Sequence, residues 1–174
     1  MNLDFQYKED IFVIRNFLSY DMYKSLHKFI LKKDINESAD KLWDPDMIGN
    51  HKPIFRKELD PDTIGGYPTL LRTQRFMNLM DKKLDFIAHK MCFGSGIQWH
   101  SDFKYIAAAT LYINKNWNEN WGGELMWKSE SSGGVIPVIS NTLVLMKTPM
   151  LHKVNTILSK NIARYSIQSF IRSK

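Results

Sequence analysis

The sequence predicts an α+β, mainly β domain: an antiparallel sandwich or barrel with N-terminal helices packed on one outer face. Apolar residues recur at helical spacing only in the first half of the chain. Beyond residue 85, short runs rich in β-branched and aromatic residues alternate with turn signals. Hydrophobic residues make up 44% of the 174 residues and aromatics 13%, enough for one sizeable core. The expected organisation is one domain over 1–174, with helical support over 1–85 and a β core over 86–174.

Each element has a local reason. Ile11-Phe12-Val13-Ile14 is β-branched and aromatic and reads as a short strand. Ser19 is placed to cap a helix, with Asp21 in its first turn. Met22, Tyr23, Leu26, Phe29 and Ile30 then form one apolar face, and the helix should end near 32–34. Over 36–67 periodicity breaks down among Pro45, Pro53, Pro61 and Gly65-Gly66, with Trp43, Phe55 and Tyr67 interspersed. Such a stretch reads as a binding loop or lid. Pro68 suits the start of a second helix reaching about residue 83, with Leu71, Phe76, Leu79 and Met80 facing the core. Strands are then expected over 86–92, 97–102, 105–113, 124–128, 142–147, 152–157 and 164–171. Short strands at this spacing suit an antiparallel sandwich or barrel.

Composition narrows the function classes. The net charge is +6, from 24 Lys+Arg against 18 Asp+Glu, but the basic residues are scattered. Pairs such as Lys32-Lys33 and Lys82-Lys83 without a tract read as solvated surface and disfavour a nucleic-acid partner. Cys92 stands alone, so no intrachain disulfide forms, which fits a reducing compartment. The first residues carry Asp4, Glu9 and Asp10 with no apolar h-region, unlike a secretory signal. The longest apolar stretch, 106–113, is interrupted by Thr110 and falls far short of the roughly 20 residues of a membrane helix. The expectation is a cytoplasmic protein with no membrane partner; the oligomeric state stays open.

The informative residues are His100-Ser101-Asp102. Residues two apart on a strand share a face, so an imidazole and a carboxylate would project together. His152 opens another expected strand. Two histidines and one carboxylate form the facial triad of non-haem Fe(II) oxygenases, which leaves the opposite metal positions open. His-x-Asp alone is a common chance pair, and a lone histidine is more often structural. Arg164-Tyr165-Ser166 strengthens the set. Arg164 and Ser166 share a face, which can be the one His152 shares across a hairpin. An arginine pointing into a barrel needs an anion, and a dicarboxylate supplies one that the guanidinium grips with two parallel bonds.

At this point the chain resembles the prolyl-hydroxylase branch of the 2-oxoglutarate oxygenases. The resemblance rests on Ile11-Phe12-Val13-Ile14-Arg15-Asn16-Phe17-Leu18-Ser19, His100-Ser101-Asp102, Leu111-Tyr112-Ile113-Asn114-Lys115-Asn116-Trp117, Gly122-Gly123-Glu124-Leu125, Ile136-Pro137, His152-Lys153-Val154 and Arg164-Tyr165-Ser166-Ile167, in that order. It implies a double-stranded β-helix (jelly-roll) with Fe(II) and 2-oxoglutarate at its open end. It also implies coupling of oxidative decarboxylation of 2-oxoglutarate by O2 to hydroxylation, with ascorbate as a candidate reductant. His100, Asp102 and His152 would be the metal ligands. Arg164 would take the distal carboxylate of 2-oxoglutarate, Tyr112 would donate to it, and Ser166 is a further contact. Phe170 stands where hypoxia-type prolyl hydroxylases carry a tryptophan near the metal, and with Tyr67 is a candidate substrate contact. The segment before the first ligand, Met91 to Gly96, is shorter than in that branch and lacks its tyrosine.

The implied substrate is a prolyl residue in a protein or peptide. Nucleic-acid or small-molecule oxygenases are the alternatives, together with a non-catalytic jelly-roll binding module. The remaining residues read structurally. Gly122-Gly123 suits a turn; Trp117, Trp121 and Trp127 suit core or rim packing more than the lining of a substrate groove; Trp99 should face away from the metal into packing. His27, His51 and His89 carry no assigned role, and Cys92 reads as a buried small hydrophobe.

Overall fold

A computed structural model describes residues 4–8, 10–60 and 82–172. Strands β1 (Asp4–Lys8) and β2 (Ile11–Arg15) form a hairpin that leads into helix α1 (Tyr20–Lys32). The helix starts as expected: Ser19 is extended, and its hydroxyl accepts from the Met22 N–H at 3.4 Å. Asn141 locks this entry to the sheet. Its side chain accepts from Leu18 N–H and donates to Leu18 O, both at 2.9 Å, while its carbonyl accepts from Phe17 N–H at 3.0 Å.

Over residues 36–60 the chain is more regular than its sequence suggests. It contains β3 (Glu37–Ser38), a short helix α2 (Pro45–Ile48) capped by Asp44, and β4 (Phe55–Leu59). Sheet pairing to the next strand overrides the weak local signal of β4. The second helix expected over 68–83, and Tyr67 with it, lie outside the described residues except that 83 already belongs to a strand.

The remaining strands are β5 (Lys83–Met91), β6 (Ile97–His100), β7 (Ala107–Tyr112), β8 (Leu125–Lys128), β9 (Gly133–Ile136), β10 (Leu143–Lys147), β11 (Leu151–Val154) and β12 (Arg164–Arg172). β9 falls partly where a turn was expected, because Gly133 and Gly134 pair against β8 despite their low strand propensity. The strands form an eight-stranded sheet, in order β1-β2-β10-β7-β12-β5-β4-β3, and a four-stranded sheet, in order β6-β11-β8-β9. Every pairing between the named strands is antiparallel. This is a double-stranded β-helix. The N-terminal region therefore contributes four strands to the large sheet as well as helix.

Period-two alternation divides the large sheet's residues between two cores. Ile14, Leu111, Leu145, Ile167 and Ile171 face outward and pack with Leu26 and Ile30 of α1. Tyr112, Val144, Met146 and Met91 face inward and join Trp127, Val154 and Leu125 of the small sheet. The expected packing of a helix on one outer face holds for α1. Helix α2 instead sits at the mouth of the interior cavity, against β6. No helix among the described residues is long and apolar enough to cross a membrane.

Candidate metal centre and cosubstrate pocket

The two sheets enclose a cavity of about 860 Å³. His100 ends β6, and His152 on β11 is its directly paired partner, with ring centroids 4.1 Å apart. Asp102 lies two residues past the end of β6, in irregular backbone, so the strand alternation expected over 97–102 is not what aims it. It still turns to the same place. Its carboxylate stands 3.9 Å from His100 Nε2 and 3.5 Å from His152 Nε2. One ligand atom from each of the three residues lies within 4.8 Å of the others.

The hydrogen bonds settle which imidazole nitrogen faces inward. His100 Nδ1 lies 2.8 Å from Gln98 O, and His152 Nδ1 lies 2.9 Å from Met150 O. A carbonyl only accepts, so Nδ1 carries the proton and the Nε2 lone pair faces Asp102. Burial, reinforced by His152, pushes the His100 pKa down, against the opposing pull of Gln98 and Asp102. The neutral form is the ligating form. Oδ2 of Asp102 is buried without a hydrogen-bond partner. Two bare imidazole nitrogens and an unsatisfied carboxylate oxygen converging on one point fit a divalent cation, and the anchored Nδ1 atoms are the outer contacts that orient metal-binding histidines.

On the opposite wall, Arg164 is 3% exposed and lines the same cavity from β12. It does not neighbour His152 across a hairpin, as the sequence suggested; the two residues stand on different sheets, facing each other over the interior. Arg164 donates from Nη1 to Met91 Sδ at 2.8 Å, a weak acceptor, and its Nε has no partner. Its guanidinium lies 4.9 Å over the Tyr112 ring. Tyr112 is fully buried and its hydroxyl is unpartnered. Burial pushes its pKa up, and Arg164 offsets part of that. The pocket thus holds a buried cation and a spare hydroxyl donor, which fit one end of a dicarboxylate.

Ser166 is buried and pairs with Tyr112 on one side and His89 on the other. Phe170 lines the cavity, stacked on Tyr105 with centroids 4.4 Å apart. Gly123 has a role beyond a turn. At φ +80, a Cβ there would stand 2.6 Å from Ile157 Cδ1 and 3.0 Å from Arg164 Cδ, so its bareness leaves room for the arginine. Trp99 is 37% exposed beneath Lys128 and Lys153 rather than packed.

Two cavity residues escaped the sequence reading. Arg56 on β4 and His89 on β5 are cross-strand partners, both buried, both lining the cavity. In Phe55-Arg56-Lys57-Glu58-Leu59 three charged residues stand between two apolar ones, which gave only a weak strand signal for Arg56, and the stretch read as a loop.

Residues 86–172, half of the chain, match the profile of the 2OG-Fe(II) oxygenase superfamily, and the chain belongs to that superfamily. No curated protein matches it by sequence. Among solved structures it is similar to a prolyl-4-hydroxylase of Pseudomonas putida, with 15% identity and a TM-score of 0.75 over 96% of this chain and 94% of that one. A prolyl hydroxylase from Trichoplax adhaerens, solved with a hypoxia inducible factor oxygen degradation domain peptide fragment, is 17% identical with a TM-score of 0.76, over 94% and 84%. A viral collagen prolyl hydroxylase from Paramecium Bursaria Chlorella virus-1, solved with 2OG, is 15% identical with a TM-score of 0.71, over 95% and 97%. At these identities the likeness is one of fold.

Proposed function

We propose that this chain is a 2-oxoglutarate-dependent dioxygenase that hydroxylates a prolyl residue in a protein or peptide. The carrying observation is the convergence of His100 Nε2, His152 Nε2 and the unpartnered Asp102 Oδ2 opposite buried Arg164. The prolyl assignment draws on the Tyr112-Ile113-Asn114-Lys115 and Gly122-Gly123-Glu124-Leu125 segments. The three prolyl hydroxylase structures of like fold support it.

Fe(II) with 2-oxoglutarate and O2 would supply the oxidising power, by coupling decarboxylation of the 2-oxo acid to insertion of oxygen into a C–H bond. The protein supplies position and electrostatics. His100, Asp102 and His152 would hold the metal on one side, leaving the cavity side open. Arg164 would bind the distal carboxylate, with Tyr112 and Ser166 beside it, all three buried, where charge pairing is stronger than in water. Phe170, stacked on Tyr105, would form an apolar wall against the substrate ring.

The test is an anaerobic titration of the metal-free protein with Fe(II) and then 2-oxoglutarate, followed by the visible metal-to-ligand charge-transfer band. The band should form, vanish in His100→Ala, and need more cosubstrate in Arg164→Ala. Incubation with proline peptides should then add the mass of one oxygen. A folded protein that forms no band would sink the oxygenase reading. A band without product on any prolyl peptide would sink the prolyl assignment alone.

A further inference from the structure

We infer that Arg56, with His89 beside it, forms a second anion subsite in the cavity, which takes a carboxylate carried by the substrate. The inference rests on the proposed oxygenase reading and narrows its substrate class.

Arg56 and Glu58 alternate with Phe55 and Leu59 along β4, so the guanidinium enters the cavity while the apolar pair joins the outer core. Arg56 is 8% exposed, and its Nε has no hydrogen-bond partner. Its Nη2 donates to Glu58 Oε1 at 3.0 Å, but the Glu58 side chain is 80% exposed. An ion pair whose carboxylate stays solvated is weak, so Glu58 is a readily displaced occupant. The neighbouring His89 is 3% exposed, and its Nε2 is also unpartnered. Burial, with Arg164 and Arg56 close by, holds the His89 pKa down at about 3, so this ring stays neutral. It offers a polar contact and adds no charge. Trp43 packs edge-on against it, at 5.5 Å between centroids, and closes the subsite on the α2 side.

The subsite is built on a different strand from that of the cosubstrate. Arg164 stands on β12, paired with Met91, whereas Arg56 stands on β4, two strands away. At roughly 4.8 Å per strand their backbones are on the order of 10 Å apart, and each guanidinium has its own buried, unpartnered Nε. Among the described residues the ion-pair partner of Arg56 is Glu58, whose side chain is exposed, and a buried guanidinium so matched favours the arrival of an anion. A substrate carboxylate meets that need. It would come from a chain terminus or free amino acid, or from an acidic side chain near the target residue.

The experiment uses the full chain, 15N-labelled, loaded with zinc(II) and 2-oxoglutarate and also metal-free, and follows the arginine Nε–Hε signals by NMR. Loss of one signal in Arg56→Lys assigns it. L-proline against L-prolinamide, and acetyl-Gly-Pro against its amide, probe a terminal carboxylate; acetyl-Asp-Pro-amide against acetyl-Asn-Pro-amide probes a side chain. At least one acid should shift the Arg56 signal saturably, and bind at least ~10-fold more tightly than its amide, as expected of a hydrogen bond to a charged group. The responding pair identifies the source. Glu58→Gln, a change at an exposed position, should strengthen acid binding by removing the competitor. An Arg56 signal that no acid moves in either form, or acids and amides that bind alike, would overturn the subsite. The metal-free arm keeps this outcome apart from failure of the iron reading, which the charge-transfer band decides by itself.

Discussion

His100 and His152 are direct partners across the β6–β11 pairing, and each anchors its Nδ1 on the carbonyl two residues earlier in its own chain segment. The same register that joins the strands also aims both Nε2 atoms at Asp102. Loss of either ring should therefore abolish metal binding rather than weaken it in steps. His152→Ala and Asp102→Ala are expected to remove the charge-transfer band, with secondary structure by circular dichroism unchanged. A full band in Asp102→Ala would exclude the carboxylate from the ligand set.

Arg164 depends on Gly123 for its position. Arg164→Lys keeps the charge but loses the planar fork, and should raise the 2-oxoglutarate concentration at half-saturation by roughly 10- to 100-fold. Gly123→Ala should move the same parameter in the same direction while leaving Fe(II) affinity unaltered. Its Cβ meets the arginine stem and Ile157, and its positive φ disfavours a side chain. Titrations of the band with cosubstrate at saturating metal separate the two effects.

His89 should make the protein acid-sensitive. Its pKa falls from 6.5 to about 3 on folding, chiefly through burial, with Arg164 and Arg56 adding to the effect. Below 6.5 the unfolded chain takes up a proton that the folded chain refuses. The stability from the neutral ring is thus complete above that pH and lost progressively as pH falls toward 3. Between pH 7 and pH 5 the loss is about 2 kcal/mol. In His89→Gln this component disappears, so urea midpoints at the two pH values should lie closer together than in the parent.

Asn141 holds the start of α1 to the sheet from a left-handed backbone, φ 54. Asn141→Ala leaves the Leu18 N–H and C=O without side-chain partners and strains the turn, at a cost of about 2–4 kcal/mol. Asn141→Gly relieves the strain but not the lost bonds, so its urea midpoint should fall between those of parent and Ala variant. Equal midpoints for the two variants would mean that the backbone conformation contributes nothing.

Much of this was legible before any coordinates. The Ser19 cap, the apolar face of α1 and the run of short β-branched strands are local signals, read from neighbours a few residues away. The candidate triad was also legible, although His-x-Asp alone is a common chance pair, because His152 and Arg164-Tyr165-Ser166 follow it in the sequence. Strand β4 was not, since Phe55-Arg56-Lys57-Glu58-Leu59 pairs on both sides with distant segments and carries few β-branched residues. His89 read as an isolated histidine for the same reason.

By itself, then, the sequence determined the chemistry available to this protein: which residues can ligate a cation, which can hold an anion, and which alternate into a core. Only the tertiary structure decided how they meet. It put Arg164 across the cavity from His152 instead of beside it, turned Asp102 back from irregular backbone onto two imidazoles, and set Arg56 against His89. The physical reason is range. Propensity, capping and alternation act over a few residues, whereas the pairing of the described strands into two facing sheets is fixed by burial summed over the whole chain.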